Sequence, residues 1–176
     1  MQQSEKVYVK LSLKEIKMTN NIKDLEKERA EYAYECVEKD IWTPYINLKE
    51  ELNDVKCDEE NLSEEVKKKC NKLKKLRKQA DEYKSYVKKI PSYIQTNGLS
   101  ATFAFMYSKK GTYEVIYKQI EDWLKQDFKI EGELVKWIIS QNSKEYKLIT
   151  KEVMALFLWL RRFAEGMIEK DDKDGN

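Results

Sequence analysis

The sequence predicts an all-α protein, a single bundle of about six or seven helices. Three observations carry that reading. Glycine and proline are scarce, 5 and 2 in 176 residues, too few for a fold built of many turns and short strands. Leu, Lys, Glu and Ala fill long stretches, as helices prefer. Apolar residues recur at steps of three and four along most of the chain, the period of a helix with one buried face. Hydrophobic residues make up 41%, enough to line a helical core, and no fixed-period repeat points to a solenoid.

In chain order, Val7, Val9, Leu11 and Leu13 alternate as a strand would, but a lone strand has no partner. Residues 1–18 therefore read as an N-terminal arm, 19–169 as one helical domain and 170–176 as a polar tail. The first helix is expected from Asn21 to about Lys39, capped by Asn20 or Asn21. Ile22, Leu25, Arg29, Tyr32, Ala33, Cys36 and Val37 share one side, and Trp42-Thr43-Pro44 ends it. Residues 45–61 are polar and mixed, a loop or insertion with room for a short helix at Leu48–Val55.

A long helix follows, its stripe formed by Leu62, Val66, Cys70, Leu73, Leu76, Ala80, Tyr83, Val87 and Ile90. Pro91 is expected to kink or break it, and Asn97-Gly98 to stop it. Leu99 to Lys109 reads as a short apolar helix closed by Gly111. Thr112 caps a helix ending near Phe128, with Trp123 on its apolar side. Gly132 and Asn142-Ser143 bracket another, which carries Trp137 as a core residue. The last helix runs from Lys144 to about Glu169, with Tyr146, Ile149, Val153, Leu156, Phe157, Leu160, Ala164 and Met167 inward. Leu158 and Trp159 fall outside that inward set. Two readings follow: this is the central helix of the bundle, or its outer patch meets another subunit.

Composition excludes several function classes. The chain has no His, which removes the usual catalytic triads, imidazole acid–base chemistry and most transition-metal sites. Cys36, Cys57 and Cys70 are odd in number and match no zinc spacing, so reduced structural thiols are expected. No cofactor and no metal is expected. Carboxylate-only Mg²⁺ chemistry would draw on Glu35, Glu38 and Asp40, or on Glu121, Asp122 and Asp127, but no matching pair on a second helix supports it. The longest apolar run, Val153 to Leu160, falls far short of the roughly 20 residues that span a bilayer. With no export signal at the N-terminus, a cytoplasmic location is expected.

Net charge is only +2, so any nucleic-acid surface must come from how the charges are placed. On the last helix Lys144, Lys151 and Arg162 lie together opposite the core side, flanked by Lys147 and Arg161, a stripe suited to successive phosphates. Lys84, Lys88 and Lys89 precede Pro91 and interleave with Tyr83, Tyr86 and Tyr93, a mixture that suits single-stranded RNA. Each set is set against a bland reading: solvated lysines, and tyrosines half-buried in the helix stripe. Lys67 to Lys78 holds eight Lys or Arg that wrap around their helix, a solubilising surface. For Arg29 a buried ion pair and an RNA contact are equally open.

Three stretches resemble a known family, the small subunit of type III-B CRISPR RNA-guided effector (Cmr) complexes. The first is Lys88-Lys89-Ile90-Pro91-Ser92-Tyr93-Ile94-Gln95-Thr96-Asn97-Gly98-Leu99, continued by Ala101-Thr102-Phe103-Ala104-Phe105. The second is Tyr146, Thr150 and Glu152 leading to Trp159-Leu160-Arg161-Arg162-Phe163-Ala164, and the third is Glu28-Arg29-Ala30 with Tyr32-Ala33 and Val37. No single motif is distinctive; their order and the shared helical plan carry the likeness, while residues 1–18 and 45–61 match nothing in it. The resemblance implies a non-catalytic helical protein that stacks in copies as an inner filament beside the backbone and large subunits. It also implies contact with target RNA held against the guide RNA, in antiviral defence. The alternative is a helical protein–protein adaptor that does not bind RNA.

Overall fold

The computed structural model describes residues 24–53, 55–57, 59 and 61–169. The N-terminal arm and the polar tail expected at 1–18 and 170–176 lie outside them. Every regular element among the described residues is helical. Helix α1 covers 24–37 and continues through a π turn, Glu38–Trp42, into α2, Thr43–Leu52. Then come α3 (Glu64–Asn97), α4 (Leu99–Tyr107), α5 (Thr112–Asp127), α6 (Leu134–Ser140) and α7 (Ser143–Met167).

Helix α3 is the spine, packed against α2, the π turn, α4, α5 and α7. Its buried Tyr83, Val87, Ile90 and Ile94 meet Leu99, Phe103 and Met106 of α4 and Ile116, Ile120 and Leu124 of α5. Ile149, Val153, Leu156, Phe157, Leu160 and Ala164 close the core from α7. A smaller cluster joins Leu48 and Leu52 of α2 to Cys70, with Val66, Leu73 and Leu76 packed around it. The two stripes read from the sequence are thus the buried faces of α3 and α7.

Several expectations need correction. Trp42-Thr43-Pro44 does not end the first helix. The Thr43 N–H donates to the Glu38 carbonyl five residues back, and this wider turn places Pro44 in the first turn of α2. Helix α2 accordingly starts earlier than the short helix expected at 48–55 and ends at Leu52. Second, Pro91 sits inside α3 without breaking it. The lost hydrogen bond and ring clash cost about 3 kcal/mol, but Val87, Ile90 and Ile94 around it are buried, each worth about 1.5–3 kcal/mol.

Third, Cys57 and Cys70 are not reduced thiols: they form a disulfide, their Cα atoms 5.5 Å apart. The chain folds back between α2 and α3, a long-range approach that the cysteine spacing does not reveal. Cys36 is free and buried, and burial pushes its thiol up to about 12, so it is held as an inert apolar group. Fourth, α7 is not wrapped on all sides, because Leu148 and Leu158 are 57% and 50% exposed. The central-helix reading is thus not realised, and Leu158 lies in an outward apolar patch.

Helix ends follow their caps. The Ser63 hydroxyl accepts from the Val66 N–H, and the Asn142 side chain accepts from the N–H groups of Lys144 and Glu145. Gly111, not Thr112, stands at the N-cap of α5; Thr112 Oγ1 instead donates to Glu82 at 2.7 Å. Gly98 turns the chain from α3 into α4 at φ 84°, a conformation glycine adopts at no steric cost. A Cβ there would meet the Tyr146 hydroxyl at 3.3 Å, and that hydroxyl accepts from the Ser100 N–H at 3.2 Å. The Asn97-Gly98-Leu99 turn and the start of α7 are therefore one packed unit.

Candidate nucleic-acid interface

The eight basic residues singled out in the sequence separate into three groups once the helices are packed. Lys144, Lys147 and Lys151 are exposed on the N-terminal half of α7, with no ion-pair partner among the described residues. Arg162 continues their line on the same face about five turns beyond Lys144, its guanidinium 5.1 Å over the Trp159 ring. At 1.5 Å per residue the run from Lys144 to Arg162 spans about 27 Å.

The second group is tied down. Glu165 accepts an ion pair from Lys88 at 3.0 Å and from Arg161 at 3.2 Å. The hydrogen bonds from those two cations hold its carboxyl below the usual carboxylate range. Lys84 donates to the backbone carbonyls of Glu165 and Ile168, where a cation complements the C-terminal end of the helix dipole. Lys84 and Lys88 thus fasten the end of α7 to α3, while Arg161 pairs with Glu165 within α7.

Lys89 forms the third group. It is exposed and lies about one turn from both Tyr86, which stacks on Tyr113 of α5, and Tyr93, which lines a cleft with α4. The tyrosines expected beside the lysines differ in the same way. Tyr83 is fully buried and donates to Gln119 Oε1 at 2.8 Å, Tyr86 is half-buried, and Tyr93 is exposed.

Arg29 is resolved as a structural ion pair. Its Nε and Nη2 reach the two Glu152 oxygens at 2.8 and 2.6 Å, and Trp123 Nε1 donates to the same carboxylate at 3.0 Å. Burial pushes the Glu152 carboxyl up, but the bonds from Arg29 and Trp123 outweigh it and hold the group below its ordinary value. The two stretches around Glu28-Arg29-Ala30 and Glu152 thus meet through this fork.

The carboxylates weighed as a Mg²⁺ site are dispersed. Glu35 pairs with Lys39, Glu38 accepts from Tyr34, Asp40 accepts from Gln119, and Glu121 and Asp122 pair with Lys125. Among the described residues no three acidic or cysteine side chains converge to hold a metal. Gln119 was not visible as a key residue in the sequence. Buried among α1, α3 and α5, it receives Tyr83 and donates to Asp40 at 2.8 Å, while its own carbonyl accepts from Tyr32 at 2.7 Å. Its only sequence signal was a polar residue on the apolar side of α5.

The described residues form a helical bundle whose buried charges are paired and whose α7 carries an exposed row of cations, an arrangement suited to phosphate contact. Residues 58–167 match the family model described as CRISPR-associated protein (Cas_Cmr5). The chain therefore belongs to the Cas_Cmr5 family, the small subunit of the Cmr complex in CRISPR defence that its Lys88–Phe105 and α7 residues resemble. The structure is also similar to the X-ray crystal structure of a CRISPR-associated Cmr5 family protein from Thermus thermophilus. The TM-score is 0.54 at 22% identity, over 82% of this chain and 97% of that one. At that identity the likeness concerns the fold. Among the described residues no helix is long and apolar enough to cross a membrane.

Proposed function

We propose that this protein is a non-catalytic small subunit of a type III-B effector complex that contacts target RNA held against the guide RNA. It stacks in copies as an inner filament beside the backbone and large subunits. The observation that carries the RNA reading is the row of Lys144, Lys147 and Lys151, exposed along one side of α7 without acidic partners among the described residues, with Arg162 in line. Lysines that fold stability does not use are available to phosphates. Arg161, Lys84, Lys88 and Lys89 contribute less, the first three because they are already engaged within the chain.

The test is the salt dependence of RNA binding by the full-length protein. Each neutralised phosphate on a single strand adds about 0.7 to the log–log slope. Lys144→Gln, Lys151→Gln and Arg162→Gln together are expected to flatten that slope by about two. An unchanged slope removes α7 from the RNA path. The adaptor reading draws on one observation, the exposed Leu148 and Leu158 on the same helix, and it predicts no salt-dependent RNA affinity at all.

A further inference from the structure

A second surface lies on the opposite flank of α3, away from the α7 stripe. Tyr93, Asn97, Ala101, Thr102 and Phe105 line a cleft of about 430 Å³ between α3 and α4, near the lower limit of small-ligand sites. Its two rings are open to solvent, Tyr93 at 37% and Phe105 at 41% exposure. An apolar ring left that exposed costs hydration free energy unless something covers it.

The Phe105 ring is also held in place. Phe105 meets Tyr113 edge-on at 5.3 Å, and Tyr113 stacks on Tyr86 at 4.0 Å with the planes 12° apart. Such pairs fix ring orientation at little further entropic cost, so the Phe105 side of the cleft is preorganised. None of the five lining residues is charged, and cations stand at the rim. Lys89 lies one turn before Tyr93, and the Lys109 ammonium sits 5.0 Å over the Phe105 ring. Asn97 is exposed and its carboxamide makes no hydrogen bond among the described residues.

We propose that this cleft receives an unpaired nucleobase of a single-stranded RNA, stacked against Tyr93 and Phe105. Lys89 and Lys109 take the flanking phosphates and Asn97 offers its amide to the base edge. Paired aromatic and cationic groups are the recognition chemistry of single strands, and they tolerate any base because every base has a π face. Cations at the rim favour a phosphate-bearing ligand over a proline-rich peptide, which an aromatic groove alone would also fit. The inference rests on the proposed RNA role but adds a base contact to the phosphate contacts of α7.

The test compares two probes on the full-length chain by fluorescence anisotropy: an oligouridylate and an abasic oligonucleotide of the same length. The wild type is expected to bind the oligouridylate about tenfold more tightly, the worth of one stacked base. Tyr93→Leu with Phe105→Leu should bind both probes alike while keeping the salt slope, and Tyr93→Phe should keep the preference. Ultraviolet crosslinking of the wild-type protein to the oligouridylate, read by mass spectrometry, should mark peptides containing Tyr93 or Phe105 without needing a variant. Equal affinity for the two probes with salt dependence intact overturns the base site and leaves the α7 reading standing. A preference that survives the double leucine variant, or crosslinks confined to other peptides, overturns it as well. Loss of salt-dependent binding to both probes overturns the α7 reading and this one together.

Discussion

The charges on the two sides of α7 serve opposite ends. On its inner side Glu152 is gripped by a bidentate Arg29 and by Trp123, with both charged side chains only 12–13% exposed. On its outer side Lys144, Lys147 and Lys151 stand in solvent with no acidic partner among the described residues. The same helix therefore holds charges that the fold requires and charges that it can lose. Desolvation explains the difference: a buried charge is tolerated only when paired, whereas an exposed one is hydrated and indifferent to its neighbours. Cations of the second kind are the ones a partner can recruit without first breaking the subunit.

The largest effect should come from unbalancing the inner side. Glu152→Gln leaves the Arg29 guanidinium facing a neutral group in a half-dry site, and about 3 kcal/mol of stability should be lost in urea unfolding. A double replacement, Arg29→Met with Glu152→Met, should recover most of that loss, because apolar residues of similar volume replace such pairs well. A double variant as unstable as the single one would show that the pair orders α1 against α7 by geometry rather than by charge balance.

Acid should reach the same pair more gently. The Glu152 carboxyl is held below its ordinary value of 4.5, so its contribution is complete above that pH and is lost as pH falls through the lower folded value. Stability of the wild-type protein should therefore decline below about pH 4.5, and the Glu152→Gln variant should show a flatter acid limb. Glu165 is shifted in the same direction and keeps the variant's limb from becoming wholly flat.

How much of this contrast was legible beforehand depends on which force placed each residue. The buried stripes of α3 and α7 follow from periodicity, because one hydrophobic face must find a partner whatever the tertiary arrangement. So does the outward set Lys144, Lys151 and Arg162, which is the complement of that stripe. What periodicity does not carry is which cation finds which acid. Lys84, Lys88 and Lys89 look equivalent in sequence, yet packing α7 against one flank of α3 engages the first two and leaves Lys89 beside the tyrosines. The Arg29–Glu152 fork, the Gln119 network and the Cys57–Cys70 bond are likewise contacts between distant segments, set by topology alone. The π turn and the unbroken Pro91 helix fail for a related reason, since local preference there yields to tertiary packing.

A smaller change should convert charges of the first kind into the second. Glu165→Gln removes the anion shared by Lys88 and Arg161, an exposed pairing whose loss should cost less than about 1 kcal/mol. Both cations would then extend the outer basic face toward the C-terminal end of α7. Binding to single-stranded RNA should tighten, and the log–log salt slope should steepen by up to about 1.4, twice the value for one phosphate. An unchanged slope would confine the RNA path to the N-terminal half of the helix.

The smallest effect is the one that most directly separates the two sides. Lys144→Ala with Lys151→Ala removes two exposed cations that make no contact with the core, so the urea midpoint should move by no more than about 0.5 kcal/mol in stability terms. RNA binding by the same variant should lose about 1.4 slope units, two phosphates' worth. Stability and binding would then vary independently on the outer side, where on the inner side the Glu152 variant lowers stability and leaves the lysine row in place. If the lysine pair instead lowered stability by more than about 1 kcal/mol, the outer charges would belong to the fold. The row along α7 would then no longer be a surface reserved for a partner.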